Sequence, residues 1–129
     1  MTSMLYAALL TIFYIGLSAY VIKGRFAYRV SLGDGGEKDL GTRIRAHANF
    51  AEYAPLAILL LFLVDYAEYA NWMVHILGLM LLLGRALHAA GLIGGHRGRP
   101  AGMVLTFLMM LISAVLLVID YLNMQMAGL

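Results

Sequence analysis

A chain of 129 residues is long enough for one domain, but its composition excludes a water-soluble one. Hydrophobic residues make up 63% of it and charged residues 12%, against about 45–50% and about 25% in soluble domains, so a soluble form would expose large apolar patches. Cysteine is absent, which excludes a disulfide framework, a thiolate nucleophile and every cysteine-based metal or haem signature. The net charge is +2; its basic residues cluster in two short segments beside apolar runs, which points to a phospholipid surface and not to nucleic acid.

The first uncharged run covers residues 1–22. At about 1.5 Å per residue it can cross a hydrocarbon layer of about 30 Å. It lacks the basic start and cleavage signal of a secretory peptide and reads as a retained helix over residues 4–22. Lys23, Gly24 and Arg25 end its apolar part, and a long loop follows in which GDGG at 33–36 is a turn signal. Long loops in small bundles are often functional.

A second helix is expected to start near Leu40–Thr42, with Thr42 or Asp39 as its cap, and to span 42–64. Pro55 lacks an amide donor and predicts a bend. DYAEYAN at 65–71 is a short acidic turn, with Tyr66, Tyr69 and Trp72 at headgroup depth. The third span, 72–92, is interrupted by Arg85 and His88. GGHRGRPAG is a basic turn before an uncharged fourth span at 103–120. The runs are continuously apolar instead of alternating, so a membrane β-barrel does not fit. The expected fold is an all-α integral membrane protein, a single-domain bundle of four transmembrane helices. Eight of the nine Lys and Arg residues lie in or beside the first and third connections, and the middle connection has none. The positive-inside rule therefore places those two connections in the cytoplasm and both termini outside it.

Several polar residues interrupt this apolar pattern. Arg45, Asn49 and Glu52 are spaced by four and three residues, within about 60° of one another on one helical face. Arg45 and Glu52 are separated by about 10 Å along the axis, a gap their side chains bridge only in part, with Asn49 between them. The third helix adds Arg85 and His88. Charged groups facing lipid are costly, so Glu52 and Arg85 should face protein or water. Two readings remain open. One is a structural network in which Glu52 neutralises Arg85 and Asn49 completes the hydrogen bonds. The other is a site for an anionic, partly peptide-like ligand. Its carboxylates would meet arginines, its amide Asn49 and its ammonium Glu52. Arg25, Arg29, Arg43, Arg97 and Arg99 supply further cations at the cytoplasmic mouth.

Among the histidines, His88 shares the polar face of Arg85, and His47 points to another helix or the interface. His75 reads as an interfacial or packing residue, and His96 lies in the basic turn near solvent or phosphate. No HExxH or comparable cluster suggests a metal. Gly16, Gly78, Gly84 and Gly91 would let helices approach closely, Gly84 and Gly91 along one stripe. Met109 and Met110 read as packing material.

RAHANFAEYAP at 45–55 resembles the second-helix motif of the MAPEG superfamily, the membrane-associated proteins in eicosanoid and glutathione metabolism. LGRALHAAG at 83–91 resembles its third-helix motif. With the four spans, the first loop and the basic turn, the resemblance extends over nearly the whole chain and is to a bacterial-type member. It implies four-helix subunits assembled as a homotrimer in the inner membrane, with glutathione bound between neighbours near the cytoplasmic side. Carried over by position, it implies Arg45, Asn49, Glu52, Arg85 and His88 as glutathione-binding residues, with Arg25 as a basic contact at the end of the first helix.

Glutathione would be the co-substrate of a transferase or peroxidase-like enzyme. Its thiol would ionise beside Arg99 or Arg25 and attack a small hydrophobic electrophile arriving through the bilayer. Two positions depart from the family pattern. Leu92 stands where some catalytic members carry a tyrosine. RPAGMVLTF displaces Arg99 and lacks the serine of prostaglandin-forming members, leaving Thr106 as the nearest hydroxyl. Two alternatives follow: a non-catalytic module binding a thiol peptide or anionic lipid, and a structural oligomeric membrane protein.

Overall fold

The computed structural model describes residues 1–95 and 97–128. It contains four helices: α1 (Ser3–Tyr28), α2 (Lys38–Tyr66), α3 (Asn71–Gly94) and α4 (Gly98–Met126), with no strand among the described residues. Each helix is long and apolar enough to cross a membrane. A helix is the economical solution there because it satisfies its own backbone polar groups without water.

All four helices outrun the expected spans. α1 continues through Lys23–Arg25 and ends only at Arg29, whose left-handed backbone (φ 55°) turns the chain back. The Val30 amide then donates to the Arg25 carbonyl at 3.0 Å, closing the helix end. The first connection is correspondingly short, residues 29–37. Charged residues do not end a helix whose last turns stand in the headgroup layer, and α1 at about 39 Å exceeds a hydrocarbon core of about 30 Å.

α2 starts at Lys38, ahead of the expected position, and neither proposed cap acts as one. The Thr42 hydroxyl donates to the Lys38 carbonyl at 3.0 Å, while Asp39 pairs with Arg43 at 2.8 Å. The turn itself is built by Asp34, whose carboxylate accepts from the Gly36 amide at 3.0 Å. α2 runs on through Pro55 uninterrupted. α4 begins at Gly98, which places Pro100 in its first turn, where an amide donor has no helical partner to lose.

α2 and α3 form the centre of the bundle. α1 packs on both of them, α4 packs on both of them, and α1 and α4 do not touch among the described residues. Leu10, Leu61, Leu81 and Met109 are fully buried between these elements. The closest pairing is α3 with α4. A Cβ on Gly84 would sit 2.8 Å from the Thr106 hydroxyl, and one on Gly91 would overlap the backbone of Gly98 and Arg99. The glycine stripe expected from the sequence thus lets two backbones meet. Gly78 is covered by the Tyr6 ring, whereas Gly16 faces open space on the subunit surface.

The end bearing the termini is tied by local bonds that the sequence pattern does not announce. The Asp65 carboxylate accepts from the Ser3 amide at 2.8 Å and the Ser3 hydroxyl at 2.6 Å, placing a negative charge at the positive end of the α1 dipole. Tyr6 donates to the His75 carbonyl at 3.1 Å and lies 2.9 Å from its Nδ1, which gives His75 the packing role expected of it.

Candidate functional site

Arg85 is the most deeply placed charge in the chain, with 1% of its surface exposed. Its acceptors are all neutral. Nη1 donates to the Asn49 side-chain oxygen at 2.8 Å and more weakly to the Asn49 carbonyl at 3.5 Å. Nε and Nη2 both donate to the Thr106 hydroxyl oxygen, at 3.1 and 2.9 Å. Nη2 also approaches the Met103 sulfur at 3.4 Å, and the guanidinium carbon stands 5.5 Å from the centre of the Tyr53 ring. Thr106 can serve two donors because its own proton goes to the Gly102 carbonyl at 2.9 Å. One side chain of α3 therefore clasps α2 and α4 together.

The expectation that Glu52 neutralises Arg85 is corrected by this geometry. Glu52 pairs with Arg45 at 3.6 Å along α2, and both stand on the outside of the single subunit, 53% and 61% exposed. The seven-residue gap between them is closed, although the sequence reading bridged it only in part through Asn49. Asn49 has turned inward to Arg85, while its two neighbours in the motif point out. Glu52 lies at the midpoint of α2, about 21 Å from either helix end. A carboxylate at that depth is expensive against hydrocarbon, and its ion-pair partner Arg45 lies about 10 Å nearer the basic end of the helix.

The remaining site residues gather unevenly around this core. His88 is buried, within electrostatic reach of Arg85, Arg99 and Arg45, so one residue is surrounded by cations from three helices. Arg99 lies exposed on the first turn of α4, seated where the backbone meets Gly91. Arg45 also lines an open hollow of about 610 Å³ with Asp34, Lys38, Thr42 and Leu92. The position that holds tyrosine in some catalytic relatives thus faces the same space as Arg45.

Arg25 stands apart. It donates to the Gly33 carbonyl at 2.9 Å and borders a different hollow on α1. Arg43 is engaged in the α1–α2 joint, bonded to Asp39 and lying 4.1 Å over the Tyr20 ring. His47 meets α1, stacked 4.8 Å from Tyr14 and 3.0 Å from the Ser18 hydroxyl. The role read for His96 lies outside the described residues.

Thr106, Met103 and Tyr53 are the partners that sequence reasoning missed. A signal for Thr106 was present: it is one of two small hydroxyl residues in the apolar fourth span, with Ser113, and it lies one helical turn after Gly102.

The chain is thus a bundle of four membrane-capable helices with an interior arginine clasp and an outward-facing ion pair. The chain belongs to the MAPEG family, whose sequence profile matches residues 3–119. It is 40% identical over 115 residues to the inner membrane protein YecN of Escherichia coli strain K12, covering 87% of this chain and 86% of that protein. YecN of Escherichia coli O6:H1 matches to the same extent. No solved structure matches the chain.

Proposed function

We propose that the protein is a glutathione-dependent transferase or peroxidase-like enzyme of the bacterial inner membrane, acting on a small hydrophobic electrophile. The subunits form a homotrimer, with glutathione bound between neighbours near the basic end, which faces the cytoplasm. Both termini lie on the opposite side. The observation that carries this reading is the Arg45–Glu52 pair, more than half exposed, with Glu52 at the midpoint of a membrane helix and Arg45 seven residues nearer its basic end. Lipid makes a poor neighbour for it; a second subunit and a zwitterionic, carboxylate-bearing peptide make good ones.

Arg25 and Arg99 belong to α1 and α4, which make no contact with each other among the described residues, and a neighbouring subunit would bring a second copy of each to the shared site. In this arrangement Arg45 takes a glutathione carboxylate and Glu52 its ammonium. Arg85 acts by holding Asn49, whose bonded side-chain oxygen leaves the amide nitrogen to donate to a peptide carbonyl. His88 shapes the cationic surroundings, and Arg99 or Arg25 stabilises the thiolate. Glutathione itself is the nucleophile, so the protein contributes position and field.

Leu92 favours a second reading, a module that binds a thiol peptide without turnover, because an apolar side chain at that place offers the sulfur no hydrogen bond. Purified protein incubated with glutathione and a reactive aromatic halide separates the two. Conjugate formed above the spontaneous rate supports the enzyme. Calorimetric binding of glutathione without conjugate supports the module, and absence of both defeats the site.

A further inference from the structure

The basic end of α1 carries a second hollow, of about 450 Å³, that the glutathione reading does not use as a whole. Ile22, Arg25, Phe26 and Arg29 fall at intervals of three and four residues and make one face of the last two helical turns. Val30 and Ser31 close over its end. The closure is built in: the left-handed turn at Arg29 reverses the chain, and Arg25 fixes the returning loop through the Gly33 carbonyl at 2.9 Å.

The exposure pattern here differs from that of a solvated helix end. Phe26 is 79% exposed and Leu32 in the adjoining loop 88% exposed. Large apolar side chains beside an exposed Arg29 and a half-buried Arg25 are poorly suited to bulk water and well suited to the boundary between headgroups and acyl chains. The length of α1 sets that depth, because a helix of about 39 Å carries its last turns beyond about 30 Å of hydrocarbon. No carboxylate borders the hollow, and Arg29 makes no ion pair among the described residues. An anion is therefore the missing complement, and a planar guanidinium donates two parallel hydrogen bonds to the oxygens of a phosphodiester.

We propose that this hollow binds one anionic phospholipid, its phosphodiester on Arg29 and its glycerol and upper acyl region on Phe26 and Ile22. The site shares only Arg25 with the glutathione reading, places no lipid contact on it, and stands if that reading fails.

Native mass spectrometry of the full chain, purified in mild detergent and offered equal phosphatidylglycerol and phosphatidylethanolamine, tests it. Wild-type protein retains phosphatidylglycerol over phosphatidylethanolamine by about fivefold, and Arg29→Asn, which keeps the left-handed turn accessible, brings the two near parity. Phe26→Ala, a change on an exposed helix surface, lowers retention of both lipids and keeps the preference. Arg97→Gln removes the same charge from the other basic connection and leaves retention unchanged. Equal phosphatidylglycerol retention by wild type and Arg29→Asn overturns the site. So does displacement of the lipid by glutathione, which would assign the hollow to the peptide, or loss of oligomer mass without loss of lipid, which would assign it to a second copy.

Discussion

Two arginines on neighbouring helices have opposite surroundings. Arg85 is enclosed, and each guanidinium nitrogen donates to a neutral oxygen of α2 or α4. Arg45 is exposed and has one partner, a carboxylate that is exposed as well. A buried charge persists when its hydrogen bonds are complete, and Arg85 meets that condition inside one subunit. The Arg45–Glu52 pair remains more than half exposed, and under the proposed function its further partners are a ligand and a second copy of the chain. The same residue type has its donors satisfied by neighbouring helices in one place and stands open in the other.

The strongest way to break the enclosed region is to part α3 from α4. Gly91→Ala puts a methyl group against the backbone of Gly98 and Arg99, an obstacle that no side-chain rotation removes. It should destabilise the protein by about 3 kcal/mol, at the upper end of overpacking costs, and lower the melting temperature in detergent. Gly16→Ala, where nothing lies within 4 Å in the subunit, is the comparison: it should leave the subunit's own packing intact.

A smaller loss is expected from Thr106→Val. The change keeps the shape of the side chain and removes the oxygen that serves both Nε and Nη2 of Arg85. Two donors of a buried cation then lack their acceptor, which should cost about 2 kcal/mol in thermal or denaturant unfolding. Thr106→Ser, which restores the oxygen, should recover most of it. If Val and Ser behave alike, the clasp contributes little and Arg85 is free for another role.

The smallest effect concerns the open side. Leu92→Tyr places a phenol in the hollow that Arg45 lines. One added hydrogen bond to the sulfur, worth about 1 kcal/mol, should raise conjugation of a reactive aromatic halide roughly fivefold with little change in melting temperature. An unchanged rate in a folded variant would separate this position from thiol activation.

The span count, the fold class and the polar motif were legible in the sequence because membrane helices write themselves as long apolar runs, and charges within those runs stand out. The tight α3–α4 contact was legible for a similar reason, since Gly84 and Gly91 form one stripe. Pairing was harder to read. Opposite charges on adjacent helices suggested Arg85 with Glu52, but Asn49 and Thr106 occupy Arg85 and leave Glu52 to its own helix. Which acceptor reaches a guanidinium depends on the rotation of each helix about its axis, and spacing along one helix does not fix its rotation against another. The helix ends were misplaced for a different reason: Lys23 and Arg25 mark the membrane surface, whereas the helix stops where Arg29 turns left-handed.

Glu52→Gln measures the central contrast most directly. It keeps the size of the side chain, removes the negative charge of the exposed pair and leaves every bond of Arg85 in place. Calorimetric titration of glutathione into wild-type and variant proteins, matched by melting curve and oligomer mass, should show unchanged stability and at least about tenfold weaker binding, or about 1.4 kcal/mol. Equal affinities in the two proteins would contradict the account and return the Arg45–Glu52 pair to a role in helix assembly alone.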